Sequence, residues 1–493
     1  MSKNILALSC AGVLFLFSGC QWADVCDHNA TTETTPSTVE EVFLDLELRS
    51  LINAQNLTGD PSIGIDIPSI NSPKAQLGMQ LFYSKALGIE KDSACVSCHH
   101  PALAGGDALS LSIGVEALDP DLLGVGRIHD PAAPHYNNGY ALVQRNAPTT
   151  FNVALWKRAL AWDGRIENVL DGNRIGIRTP DTPFGVIDDN AGANLAAAQV
   201  RFPVASDVEM KGLDYNASAT RDDVRQHLQT RLNDTAASDY IDNEWQKLFT
   251  PVYGENSVTF DNIADAIGEY ENSQLFIDNP WKKYVEGNTT ALSESAKRGA
   301  KLFFNSYQDG GFSCTTCHSG DFFTDESYHV MAVPQVGFGK DENEEDFGRY
   351  RETGDMKYAF RTPNLLNVAL TGPWGHDGAY TTLEAMVRHM INPDKSVVEY
   401  DFSQLDENVK TTNTVANTAK ALAQLQANRE FGVSPHIPQD ATDEQVNDLV
   451  EFLKSLTDPC ITDKECIGQW IPTNSHGPDC LQLNAVDADG NLL

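Results

Sequence analysis

Apolar residues recur at helical spacing in two segments that lie about 220 residues apart. Residues 75–101 read AQLGMQLFYSKALGIEKDSACVSCHHP, and residues 296–320 read AKRGAKLFFNSYQDGGFSCTTCHSG. Both begin with Ala, place Gly three positions later, continue with Leu, Phe and an aromatic residue, and end near a Cys-x-x-Cys-His motif. This spacing predicts a helix ahead of each cysteine pair, and the glycine allows another backbone to approach that helix closely. The chain therefore contains an internal repeat.

Each half of the chain closes with a further predicted amphipathic helix. In residues 442–456 the apolar face consists of Val446, Leu449, Val450 and Leu453, and Thr442 with Gln445 forms a capping-box pattern at its start. Residues 260–271 (FDNIADAIGEYE) space their apolar positions in a similar way. Because Cys-x-x-Cys-His is the attachment motif of c-type haem, we predict a mainly α fold with two cytochrome c-type haem domains and long irregular loops, with a boundary near residues 286–292.

A third predicted helix lies in TTLEAMVRHMINP, residues 381–393. Thr381 and Glu384 suit a capping box at its start, and Asn392-Pro393 ends it. Its apolar face consists of Leu383, Met386, Val387 and Met390. By periodicity alone Met390 is a core residue, although a thioether is also a known axial ligand of haem iron.

The N-terminus has the pattern of an export signal. Lys3 precedes an apolar run from Ile5 to Phe17, and the small residues of FSG stand before Cys20. The run is short for a membrane span, and Cys after FSG resembles a bacterial lipobox. We expect residues 1–19 to be removed and Cys20 to carry a lipid, with localisation at the periplasmic face or the surface of the outer membrane. An ordinary signal peptide is the alternative.

The amino-acid composition says more about which partners the protein can bind than about its fold. The chain has 493 residues, with 69 Asp and Glu against 35 Lys and Arg, for a formal net charge of −34. Nucleic-acid binding needs a basic surface, so we do not expect this acidic chain to bind nucleic acid. The acidity fits either a well-solvated surface or the steering of a basic partner.

The ten cysteines divide by position. Cys-x-x-Cys-His is the attachment motif of c-type haem, in which the two thiols form thioethers and the histidine binds the iron. We assign Cys95, Cys98 and His99 to one haem, and Cys314, Cys317 and His318 to a second. A redox pair or a zinc site is the alternative for each motif, and the exported repeat argues against both. Cys26, Cys460, Cys466 and Cys480 remain for two disulfides with three connectivities.

The expected organisation has five segments. They are a signal peptide (1–19), a flexible tether (20–45), an N-terminal haem domain (46–288), a C-terminal haem domain (289–457) and a cysteine-containing tail (458–493).

Three other segments carry a resemblance to a known family. Residues 144–165 (QRNAPTTFNVALWKRALAWDGR), 199–210 (QVRFPVASDVEM) and 360–390 (FRTPNLLNVALTGPWGHDGAYTTLEAMVRHM) closely resemble the bacterial di-haem cytochrome c peroxidases and their relatives of the MauG type. The resemblance covers roughly residues 70–457. It implies a peroxidatic haem in the N-terminal half and an electron-transferring haem in the C-terminal half.

The resemblance also implies roles for individual residues. Met390 lies where the peroxidases place the distal Met of the second haem, fourteen residues after His376, and His389 beside it is a second candidate. Trp162 matches the Trp between the two haems, or else is an aromatic core anchor. Asn146, Thr371 and Pro373 match ligands of one Ca²⁺ ion, a hard cation that prefers oxygen.

Gln199 and Glu209 match the family's pair over the first haem. A carboxylate there can move a proton during cleavage of a peroxide. The alternative for Glu209 is a capping box with Ser206.

One position departs from the reductively gated peroxidases. Where they carry a His about sixteen residues after the motif histidine, this chain has Val115, which cannot bind iron. The loop that follows is long and contains His129, His135 and Tyr140, any of which is a substitute ligand. The simpler interpretation is a first haem with an open sixth position, as in MauG-type enzymes, whereas Met390 agrees with the peroxidases.

Three functions are consistent with these residues. The first is a lipid-anchored peroxidase that reduces hydrogen peroxide with electrons from a small cytochrome or cupredoxin. The second is a MauG-like enzyme that oxidises Trp or Tyr residues of a partner protein, with the loop 115–144 and the tail as docking surface. The third is an electron carrier with both irons closed. The resemblance also allows for a homodimer.

Overall fold

A computed structural model describes residues 39–133, 135, 138–233, 241 and 243–493. The predicted signal peptide, Cys20 and Cys26 lie outside these residues. The helices are α1 (Val39–Ala54), α2 (Pro73–Phe82), α3 (Leu195–Val200), α4 (Arg221–Leu232), α5 (Trp245–Tyr253), α6 (Phe260–Asn272), α7 (Pro280–Val285), α8 (Glu294–Phe304), α9 (Tyr350–Thr353), α10 (Leu383–Ile391), α11 (Pro393–Val398), α12 (Thr414–Glu430), α13 (Asp443–Lys454) and α14 (Lys464–Ile467). The strands are β1 (Ala159–Leu160), β2 (Ile166–Asp171), β3 (Arg174–Arg178), β4 (Tyr328–His329) and β5 (Phe360–Arg361).

The mainly α prediction is confirmed. Strands β1, β2 and β3 form a small antiparallel sheet in that order, and β4 pairs antiparallel with β5. Long stretches between the helices, such as residues 101–133 and 138–152, are irregular or contain only short 3₁₀ turns. Within the part of the chain that the structure describes, none of the helices combines the length and apolar character that a membrane span requires.

The internal repeat forms two matching helix pairs, in which α2 packs against α6 and α8 packs against α13. The repeated glycine lies at each crossing. A Cβ atom on Gly78 would lie 1.9 Å from the carbonyl oxygen of Ala266, and one on Gly299 would lie 1.8 Å from that of Asp448. The predicted close backbone approach is therefore confirmed in both halves.

The capping predictions had different outcomes. Thr442 and Gln445 form the predicted capping box at the start of α13. Helix α10, by contrast, is capped by Thr382, whose side chain accepts from the backbone N–H of Ala385, so the Thr381 cap is wrong by one residue. The reason is that the backbone N–H of Thr381 donates to the side chain of Gln404 and is held outside the helix.

Two apolar cores divide the molecule into a first lobe, built around α2, α4, α5 and α6, and a second lobe, built around α7, α8, α10 and α13. Helix α1 packs on α8, and its Leu48 and Ile52 are buried in the second core. Residues 39–45 are therefore helical rather than part of a flexible tether. The helix also joins the second lobe, although its position in the chain placed most of it in the N-terminal domain.

The tail packs in the opposite direction, against the first lobe. Leu483 is fully buried in the first core, and the Asp479 carboxylate accepts from Ser84 Oγ and Trp245 Nε1 at 2.8 Å each. Cys460 and Cys466 form a disulfide, and Cys480 is a free, exposed thiol. One disulfide thus exists among the described cysteines, and Cys26 lies outside them.

Candidate active site

One cavity of about 790 Å³ reaches both cysteine motifs. Its lining includes Cys95, Cys98, His99, Cys314, Cys317 and His318. The cavity lies between the lobes, because its walls come from α3 and residues 143–165 of the first half and from α10 and residues 358–376 of the second. The structure therefore brings the two predicted haem sites into one continuous space.

Both motif histidines are oriented as iron ligands require. His99 Nδ1 lies 3.1 Å from the carbonyl oxygen of Gly105, and His318 Nδ1 lies 3.0 Å from that of Phe323. A carbonyl can only accept, so Nδ1 carries the proton and Nε2 keeps a free lone pair. Burial lowers the pKa of both imidazoles, which keeps them neutral. With four free thiols in the same cavity, these residues fit two covalently held haems.

The predicted pair Gln199 and Glu209 lines the same cavity as His99. Gln199 lies in α3, and its buried Oε1 has no hydrogen-bond partner. Glu209 lies in a short π-helical turn, Asp207–Lys211, where the side chain of Ser206 makes no capping bond. The capping alternative for Glu209 is therefore wrong, and its carboxyl is available to the cavity.

Two cationic side chains, Arg165 from the first half of the chain and Lys340 from the second, line the same cavity as Glu209. Burial, together with the positive charges of Arg165 and Arg145, lowers the pKa of Lys340 to about 7, while Asp163 and Glu209 act in the opposite direction. Lys340 lies in an irregular loop of the second half. The residues around it in the sequence therefore gave no indication that its side chain lines this cavity.

The residues considered as a sixth ligand of the first iron lie outside the cavity. Val115 is fully buried and packs with Ala133 and Leu142. His129 Nδ1 lies 3.4 Å from the carbonyl oxygen of Glu116, and the exposed His135 pairs with Asp214 at 2.9 Å.

Tyr140, the third alternative, packs edge-on against Phe338. His129, His135 and Tyr140 are thus engaged in other contacts within the described structure.

At the second motif the structure separates two adjacent candidates. Met390 lines the cavity. His389 is fully buried and turned away, with Nε2 2.9 Å from the carbonyl oxygen of Met331 and Nδ1 2.8 Å from Tyr380 Oη. Of the two, only Met390 lines the cavity. Met386, one turn earlier, also lines the cavity and was not singled out by the sequence.

Trp162 and the three predicted calcium ligands line this cavity as well. Trp162 Nε1 donates to the carbonyl oxygen of Asn146 at 2.9 Å, so the candidate electron path and the candidate calcium site share a contact. The Asn146 side-chain amide donates to the carbonyl of Leu109 at 3.0 Å. Thr371 and Pro373 line the cavity from the second half of the chain.

Sequence reasoning missed two buried polar features. Arg145 joins the lobes, since it contacts Asp163 and Asp346 at 2.6 Å each, and these ion pairs hold the pKa values of both carboxyls low. Glu271 in α6 lines the cavity near Cys95, and burial raises its pKa to about 8. Both residues lie in segments of the chain quoted above, but only the tertiary contacts reveal the Arg145 ion pairs and the burial of Glu271.

The chain is similar to known proteins both in sequence and in fold. The family model described as di-haem cytochrome c peroxidase matches residues 72–290. The methylamine utilization protein MauG of Methylophilus methylotrophus is 25% identical over 345 residues, which cover 68% of this chain and 79% of that protein. The cytochrome c551 peroxidase of Pseudomonas aeruginosa is 26% identical, with coverage of 66% and 73%.

A solved structure gives the same result for the fold. The diheme peroxidase BthA of Burkholderia thailandensis superposes with a TM-score of 0.52 at 20% identity, over 87% of this chain and 93% of that chain. The first half of the chain therefore matches the di-haem cytochrome c peroxidase family model, and the chain is similar in sequence to a MauG protein and to a cytochrome c peroxidase.

Proposed function

We propose that this protein reduces hydrogen peroxide in its first lobe, using electrons that arrive through its second lobe. The observation that carries the proposal is the shared cavity of His99, Gln199 and Glu209, from which the alternative ligands are turned away. Haem held by the two motifs would supply a peroxide-binding iron at His99 and an electron-relaying iron at His318 and Met390. The proposed haem domains are residues 46–288 and 289–457. Helix α1 packs on the second lobe, and the tail that follows residue 457 packs on the first.

Glu209 is the proposed acid and base. Cleavage of the O–O bond requires a proton to move from the inner oxygen to the leaving oxygen, and a carboxylate beside both oxygens can take it and return it. Gln199 offers an amide whose oxygen has no protein partner, so it can accept from the bound peroxide and hold its orientation. The partly buried position of Glu209 also limits the water that competes for these bonds.

The second lobe is the proposed entry point for electrons, with a small cytochrome or cupredoxin as donor. Trp162, in contact with Asn146, is the proposed step between the two sites. One Ca²⁺ ion held by Asn146, Thr371 and Pro373 would fix this contact at the lobe interface. We further propose export, with Cys20 as the lipid-bearing residue after removal of residues 1–19; both lie outside the described residues.

The test is the resting state and its reaction with peroxide. We expect ferric protein to show a high-spin signal from one haem and to turn over peroxide without prior reduction. Glu209→Gln should slow this reaction by about 10²-fold or more, the usual contribution of a general acid–base group. Glu255→Gln changes an exposed carboxylate outside the cavity lining, so it is the matched control and should react at the wild-type rate. Two low-spin, six-coordinate haems would contradict the proposal and favour a pure electron carrier.

The second candidate is a MauG-like oxidation of Trp or Tyr residues on a partner protein. One observation favours it: Leu122 of the loop 115–144 pairs with Val486 of the tail, so the two proposed docking segments meet there. Steady-state assays with a reduced small cytochrome separate the two functions. Fast oxidation of that cytochrome favours the peroxidase, and negligible oxidation favours the protein-modifying enzyme.

A further inference from the structure

The turn that carries Glu209 depends on its neighbours for its position. It is a single π-helical turn, Asp207–Lys211, and Ser206 at its start makes no side-chain capping bond. Two irregular segments, residues 86–90 and 113–115, lie against it. We propose that Arg127 is a positioning residue for Glu209, acting through the segment that contains Gly114. The inference rests on the proposed function, since it assigns Glu209 its role there.

Contact between Gly114 and the turn is direct and leaves no room for a side chain. A Cβ atom on Gly114 would lie 2.4 Å from the carbonyl oxygens of both Val208 and Glu209. Real Cβ atoms do not approach oxygen so closely, so the two backbones are in van der Waals contact through the glycine. The position of the Glu209 backbone therefore follows the position of Gly114.

Arg127 holds this segment in place from behind. Its Nε donates to the carbonyl of Ile113 at 2.8 Å, and its Nη2 donates to that of Gly114 at 3.2 Å. The remaining nitrogen, Nη1, donates to three more carbonyls, those of Asp119, Pro120 and Leu122. The side chain is only 2% exposed. One guanidinium thus joins both ends of the loop 113–122, which has no regular secondary structure of its own.

The opposite side of the turn is fixed in the same manner. The backbone N–H of Ile89 donates to the carbonyl of Met210 at 2.9 Å. Arg231, 1% exposed, donates to the carbonyls of Ala86, Gly88 and Ile89 at 2.7–2.9 Å. The turn is therefore held between two segments whose carbonyls are bonded by buried arginines. Of the two, Arg127 acts on the side that contacts Glu209 itself.

The physical consequence is a rigid carboxyl position. Loss of the guanidinium would leave five carbonyls short of a donor, and buried carbonyls seek new partners by moving the backbone. A displacement of about 1 Å in a group that takes part in proton transfer can cost about 10²-fold in rate. Lysine cannot replace arginine here, because one ammonium offers three donors from a single point rather than a planar fork.

The first test adds a methyl group where Gly114 contacts the turn and leaves Arg127 unchanged. Gly114→Ala should slow the reaction of ferric protein with peroxide by about 10-fold or more and should speed hydrogen exchange in the peptide 206–212. Gly468→Ala, in the tail that packs on the same lobe, is the control, since a Cβ there meets no atom within 4 Å. It should leave both measurements unchanged. Wild-type rate and exchange in Gly114→Ala would overturn the proposal.

The second test asks whether Arg127 acts through Glu209. Arg127→Lys should slow the peroxide reaction in the otherwise native chain but should have no further effect when combined with Glu209→Gln, because the group it positions is already lost. Additive losses in this double-mutant cycle would overturn the proposal and show a general loosening of the lobe. If Arg127→Lys does not fold, the same cycle with Gly114→Ala gives the answer. An unaltered rate in Glu209→Gln alone would instead reject the proposed function.

Discussion

At the scale of single residues, Glu271 shows how burial alone sets a protonation state. The carboxyl lies in α6 with 9% of the residue exposed, and among the described residues it makes no ion pair. Desolvation raises its pKa from the usual 4.5 to about 8. Other ionisable groups around α6 are directed elsewhere: Lys74 contacts Asp265 and Glu269, and Arg201 contacts Asp261. A neutral acid therefore lies beside Cys95 at neutral pH.

This burial predicts a pH-dependent stability. In the unfolded chain the carboxyl ionises near pH 4.5, whereas in the folded protein it keeps its proton to about pH 8, its folded pKa. The folded state then binds the extra proton, so the contribution of Glu271 to stability falls between these pH values by up to about 1.4 kcal/mol per pH unit and levels off above them.

Glu271→Gln removes this slope, and its stability relative to wild type should rise from pH 5 to pH 8 in denaturant titrations. Glu269→Gln, whose carboxylate lies at the Lys74 ion pair, is the control and should keep the wild-type slope. Parallel pH profiles for Glu271→Gln and wild type would contradict the prediction.

At the scale of elements, the two helix crossings explain the repeat better than the cysteine motifs do. Each crossing brings a helix that precedes a motif against the helix that closes the same half, with glycine at the contact. The aromatic residues that follow the glycine are buried, among them Phe82 and Phe303. The crossing therefore sets the distance between the two helices and, with it, the wall against which each motif lies.

Gly299→Ala should destabilise the second lobe. Its Cβ would lie 1.8 Å from the Asp448 carbonyl oxygen, so α8 and α13 must separate, and overpacking of this kind costs about 1–3 kcal/mol. Thermal unfolding followed by circular dichroism measures the loss. A Cβ on Gly468 meets no atom within 4 Å, so Gly468→Ala is the control. Equal melting temperatures for Gly299→Ala and this control would show that the helices separate freely.

At the scale of the whole molecule, the two ends of the described chain cross to opposite lobes. Helix α1 lies on the second core, and the tail lies on the first. The Arg145 ion pairs with Asp163 and Asp346 also span both halves. The lobes are therefore joined by their ends as well as by the cavity, and neither is a continuous stretch of sequence.

Leu483→Ala tests this arrangement from the tail. Leu483 is fully buried in the first core, and truncating such a leucine costs about 2–5 kcal/mol. We expect lower stability in urea and faster hydrogen exchange in α2, which belongs to the same core. Leu492 is 71% exposed, so Leu492→Ala should change stability by less than about 0.5 kcal/mol. If Leu483→Ala were as stable as Leu492→Ala, packing of the tail would not contribute measurably to the stability of the first lobe.

Features whose cause is local could be predicted from the amino-acid sequence. Helical periodicity, the repeated glycine and the two Cys-x-x-Cys-His motifs predict the mainly α fold and both haem sites, because thiol and imidazole spacing is set within five residues. The folded structure was needed to show which of two adjacent side chains, Met390 or His389, lines the cavity. It also decided that Arg127 supports the Glu209 turn and that the two ends exchange lobes. These features depend on contacts between residues far apart in the chain, which no local pattern records.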